Sequence, residues 1–70
     1  MTRDDVEEQM ERYEIEYALK PDSIWMHPHD ITEVWGDRGI LLFRDAAVRA
    51  DPMVPRGAVH CSVTSRWSFT

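Results

Sequence analysis

The sequence predicts an α+β fold: an N-terminal amphipathic helix of about four turns packed on a small, mainly antiparallel sheet of three or four strands, with one short extra helix. Three observations carry this. Val6, Met10, Tyr13 and Tyr17 step by four, three and four, which is the spacing of a single helical stripe. From residue 58 onward the chain alternates between apolar and polar positions, the period of a half-buried strand. Between these two stretches, Pro21, Pro28, Gly36 and Gly57 cut the chain into segments short enough for strands and one brief helix.

The first helix is expected over residues 2–19. Thr2 followed by Asp5 forms a capping box, and the acids of the first turn suit the helix dipole. Glu8 with Arg12 and Glu16 with Lys20 are i,i+4 pairs in the better orientation, each adding about 0.3–0.5 kcal/mol. Pro21 forces Lys20 out of helical geometry, so the helix ends there or just before.

Residues 23–27 read as a strand with Ile24 and Met26 on one face and Trp25 on the other, stopped by Pro28. Asp30 with Glu33 looks like a second capping box, opening a short helix through Ile31, Val34 and Trp35 that halts at Gly36. Residues 39–44 are apolar on both faces, as a central strand would be. Residues 47–50 form a weaker strand, and 51–57 a proline-stiffened loop. The last strand then carries Val59, Cys61, Val63, Trp67 and Phe69 on its apolar side. The expected core is Val6, Met10, Tyr13, Ile24, Met26, Val34, Ile40, Leu42, Val48, Val59, Cys61 and Val63. All of this is one domain: helix 1–19, sheet core 23–64 and a tail at 65–70.

At 70 residues, such a domain buries only about 60% of the surface its unfolded chain exposes, so its stability is thin. A single Cys rules out an internal disulfide framework and fits a reducing compartment. No apolar run is long enough to span a membrane, and the acidic start lacks the basic region of a signal peptide. The net charge of −5 argues against direct binding to a nucleic-acid backbone. That imbalance is local: residues 1–19 hold seven acids against two bases, and the remainder holds six of each sign.

The segment Pro21-Asp22-Ser23-Ile24-Trp25-Met26-His27-Pro28, with Asp30 after it, resembles a strand leading into a short helix in tailed-phage major capsid proteins. The segment from Val48 through Asp51-Pro52-Met53-Val54-Pro55-Arg56-Gly57 to Val59 resembles a strand–loop–strand unit near the end of the axial domain of that family. Both stand in the family's order. Those capsid proteins are several times longer, with an extended arm and a long spine helix, so the resemblance extends to the axial-domain core alone. It implies a phage or prophage origin.

No catalytic, cofactor or metal residues are expected. His27, His29, His60 and Cys61 are the available soft ligands, but Pro28 breaks the strand between the first two. His60 and Cys61, as strand neighbours, point to opposite faces, which also excludes a Cys–His dyad. The sequence contains no nucleophile-elbow pattern or Gly-rich phosphate loop.

The expectation is therefore a small, non-catalytic phage or prophage protein acting through a protein partner, capsid-like or virion-associated, located in the host cytoplasm or the virion. It includes a possible homo-oligomer and no membrane contact. In the tail, Trp67 and Phe69 are the candidate contact residues, reaching a partner or folding back near Tyr13 and Tyr17. The alternative uses the acidic face of Asp4, Glu7, Glu8, Glu11 and Glu14, set opposite the apolar stripe. Such a face imitates a row of phosphates and would inhibit a host restriction or CRISPR complex.

Overall fold

A computed structural model describes residues 1–63 of the chain. Helix α1 (Arg3–Tyr17) is followed by β1 (Ser23–Met26), α2 (Pro28–Trp35), β2 (Leu42–Phe43), β3 (Ala46–Ala50) and β4 (His60–Ser62). The four strands form one mixed sheet in the order β2-β3-β1-β4. This is a small α+β fold. Its two outer pairings are antiparallel, and the central one, β1 with β3, is parallel. A parallel pair needs a crossover between its strands, and here that crossover carries α2 and β2.

The start of α1 follows its sequence signals. The Thr2 hydroxyl accepts from the Asp5 amide, and the Asp5 carboxylate accepts from the Thr2 amide at 2.9 Å. Those bonds to Thr2 hold the Asp5 carboxyl below its ordinary range. The helix stops at Tyr17, with Ala18 in the left-handed conformation (φ 54°), so Lys20 lies beyond it and the Glu16–Lys20 helix pair does not arise.

Val6, Met10, Ile24, Met26 and Ala46 make the fully buried core. The half-buried Ile31, Val34, Trp35, Phe43, Val48, Val59 and Cys61 pack against it, so β4 turns its expected apolar side inward. The stripe on α1 is buried only in its first half: Tyr13 is half-buried and Tyr17 is 55% exposed.

The largest correction concerns residues 39–44. They are not a central strand. Only Leu42–Phe43 pair, at the sheet edge, and Leu42 is 62% exposed rather than buried. Phe43 faces inward instead, its ring 5.3 Å from Trp35 in an edge-on contact. The cause is the turn that follows. Arg44 and Asp45 both have positive φ (51° and 66°), and Phe43 pairs with Ala46, which defines a two-residue hairpin. It folds β2 outward and gives the inner place to β3, whose small Ala46 sits in the core beside Val6 and Met10. Asp45→Gly is expected to raise stability by about 1 kcal/mol, read as a higher urea midpoint with unchanged slope, because glycine takes this conformation without the Cβ clash.

The other correction is at α2. Its N-cap is His27, whose Nδ1 accepts from the His29 amide at 3.1 Å, and Pro28 takes the first helical position. Asp30 is therefore not the cap; it is buried inside the first turn. Residues 64–70, with the expected continuation of the last strand and the contact residues Trp67 and Phe69, lie outside the described residues.

Candidate functional site

Three surfaces meet the demands of a binding protein: the β2 edge, the acidic side of α1 and the cleft between α1 and β4. A buried clamp holds the loop before β4 in place.

In the clamp, Asp30 is 1% exposed. Its Oδ1 accepts from Arg56 Nε at 2.7 Å, and its Oδ2 accepts from the Gly57 amide at 2.7 Å. Burial alone would push this carboxyl up. The bonds from Gly57 and Arg56, with the Arg56 charge, outweigh it and hold Asp30 below its ordinary value. Arg56 also approaches His29 Nδ1 at 3.3 Å and Glu33 at 3.9 Å, and Glu33 in turn accepts from the Met1 ammonium at 2.9 Å. On the other side of the loop, Gln9 of α1 donates to the Gly57 carbonyl and accepts from the Val59 amide. This side chain satisfies two backbone groups that β4 has not yet paired. Together these bonds fix the loop that delivers β4 to β1.

The acidic side of α1 is less continuous than the sequence suggests. Glu7 and Glu14 are half-buried and flank the apolar stripe instead of lying opposite it. Arg44, presented by the hairpin, reaches Glu11 at 3.3 Å and Glu7 at 4.0 Å. Arg12 pairs with Glu8 at 3.1 Å. Glu14 stands close enough to Cys61 for its charge to act there. Two guanidinium groups thus interrupt the row of carboxylates.

The β2 edge is apolar and open. Leu41 is 85% exposed and Leu42 62%, and β2 bonds to β3 alone among the described residues. The Leu41 carbonyl, at the bend just before β2, accepts from the Val48 amide at 2.9 Å, which ties this edge to β3. An edge of this kind can accept another strand.

The candidate ligands are dispersed. His27 uses Nδ1 on its own helix cap, and the His29 ring centroid lies 6.0 Å from that of His27. Trp25 pairs with His60, whereas Cys61 pairs with the buried Ile24, so His60 and Cys61 take opposite faces. Trp25 donates from Nε1 to Ser62 Oγ at 3.3 Å on the outer face, with the Arg49 guanidinium 5.5 Å from its ring. Among the described residues, no group of three or more His, Cys, Asp or Glu converges as a metal site would. Burial, and then the charge of Glu14, pushes the Cys61 thiol up, away from the thiolate a nucleophile needs.

No helix among the described residues is long and apolar enough to cross a membrane. Comparison with protein-family models, curated proteins and solved structures finds no match to the chain.

Proposed function

We propose that this chain is a small, non-catalytic phage or prophage protein that acts by protein–protein contact, as a capsid-like or virion-associated component. The observation that carries the reading is the β2 edge, where Leu42 and, just before the strand, Leu41 stand in water beside a strand with an unpaired side among the described residues. Among the described residues five fully buried side chains form the core, so a domain this small has much to gain from covering such an edge. The two capsid-like segments add support, because they meet in space: β1 pairs with β3, which holds the start of the second segment, and with β4, which follows directly after its end. The acidic-inhibitor alternative is less favoured by the Arg44 and Arg12 pairs that break the carboxylate row.

The two readings place the working surface differently. In particles of a phage carrying the gene, the native chain is expected to co-purify with the capsid. The variant Leu41→Lys/Leu42→Lys is expected to be lost from the particles while keeping its melting temperature, since both side chains are already exposed. Reversal of Glu7, Glu8 and Glu11 to Lys should leave incorporation intact. Absence of the native chain from particles, with salt-sensitive binding to a host nucleic-acid-processing complex that charge reversal abolishes, would establish the inhibitor instead.

A further inference from the structure

Two clefts adjoin along α1, of about 320 Å³ and about 590 Å³, and Gln9 and Arg12 line both. The first continues past Tyr13, Glu16 and Tyr17, with Val59 and Cys61 across from them. The second continues past Asp5 and Glu8, with Gly57 and Ala58 across. They form one groove, with α1 as one wall and the chain from Gly57 to Cys61 as the other. Helix and chain run in the same direction along it, since Gln9 is bonded at Gly57 and Val59 while Glu14 acts on Cys61 farther along. Among the described residues β4 bonds to β1 alone, which leaves its outer edge on this groove.

We propose that the groove receives an extended segment of a partner protein, apolar at its centre and carrying Lys or Arg at both ends.

Charge, lining and length all favour this occupant. The helical wall carries three carboxylates, Asp5, Glu8 and Glu16, against one guanidinium, Arg12. Arg12 is held by Glu8 at 3.1 Å, and the Met1 ammonium at the near end is held by Glu33 at 2.9 Å. The surplus negative charge therefore stands at Asp5 and at Glu16, toward the two ends of the groove. An acidic segment would meet both without compensation, whereas a segment with basic ends answers both. Between them the lining is apolar and aromatic. The Tyr13 and Tyr17 rings lie 4.7 Å apart, and Val59 and Cys61 are half-buried across from them. From Asp5 to Tyr17 the helix rises about 18 Å, and seven extended residues cover roughly 23 Å, enough to set a basic side chain at each end. A segment laid along an open strand edge gains main-chain hydrogen bonds there, and its side chains supply the selectivity. This groove and β2 lie at opposite edges of the sheet, so the particle experiment above and the one below fail separately.

The test is titration of the full chain with the blocked heptapeptide Lys-Lys-Val-Thr-Val-Lys-Lys, followed by amide shifts and calorimetry. Saturable binding is expected, with the largest shifts at residues 57–62 and at the Tyr13 and Tyr17 rings. It should weaken about tenfold in Glu16→Lys, and comparably when salt is raised from about 50 to 500 mM. Glu11→Lys, on the side of α1 that faces Arg44, should stay within about twofold of native. Equal binding of Glu-Glu-Val-Thr-Val-Glu-Glu would overturn the proposal, as would shifts centred on β2. Absence of saturable binding to the full chain would overturn it too, whether the groove is closed by the chain itself or has no affinity for such a segment.

Discussion

Replacing Asp30 with alanine is expected to cost about 3 kcal/mol, against a total stability of roughly 4–10 kcal/mol for a domain of this length. The substitution removes two charge-assisted hydrogen bonds at once, to Arg56 and to the Gly57 amide, and frees the loop that brings β4 to β1. Asp30→Asn keeps one accepting oxygen and should fall between the two. Urea unfolding at neutral pH measures the difference, and a loss below about 1 kcal/mol would mean that the clamp contributes little. Acid supplies a second reading. The folded carboxyl titrates below its unfolded value, so the unfolded chain takes up the proton first as pH falls. The contribution of Asp30 is fully present above the ordinary carboxylate range and is lost as pH drops through the depressed folded value. The gap between native protein and Asp30→Ala should therefore stay constant from about pH 7 to 5 and narrow below about pH 4.

Met10→Ala is the other large expected effect. Met10 is fully buried at the junction of α1 with the sheet, alongside Val6, Ile24 and Ala46. Truncating a buried methionine to alanine costs about 2–5 kcal/mol through lost transfer energy and the cavity left behind. In a core this small few neighbours are available to collapse into the gap. Thermal unfolding followed by circular dichroism should show a fall of well over ten degrees, or no folded baseline at all. Leu42→Ala is the matched control. It removes an apolar side chain of similar size from an exposed position, so its melting temperature should be nearly native. A comparable loss in both variants would show that burial at these two sites is not what the structure says.

The elements that could be read from the sequence are those whose signals are local. Thr2 and Asp5 cap α1 over three residues, and Pro21 and Pro28 bracket β1 within a single short segment. The apolar stripe was legible over its first half and failed at Tyr17, which stands 55% exposed beside the cleft to β4. The hairpin after β2 was hidden because Arg44-Asp45 carries neither the Gly nor the Asn that such turns favour. Without it, an apolar run at the edge looks the same as one in the centre. Asp30 illustrates a deeper limit. An aspartate at a helix start reads as a cap, but its partners, Arg56 and Gly57, lie more than twenty-five residues away, and nothing near Asp30 marks them. Nothing in the local sequence singles out Gln9 either. Its bonds to Gly57 and Val59 depend on where the loop comes to rest. The β2 edge was misread for the same reason: Leu42 looked like a core residue of a central strand because exposure depends on strand order.

That strand order also governs how the chain acquires its structure. β1 is made early, yet neither of its neighbours is close in sequence: Ser23 waits for Ala47 on one side and for Ser62 on the other. Closing loops of that length must precede any reward from burial, which places the protein toward the slower end for its size. During synthesis α1 leaves the ribosome ahead of every strand described, with Val6 and Met10 facing a sheet that does not yet exist. The β1–β3 pair can form once Ala50 is out, but β1 keeps a bare flank until residues 60–62 arrive. A nascent chain stalled between those two points would hold its helix and half its sheet, with the backbone of β1 exposed to any passing strand.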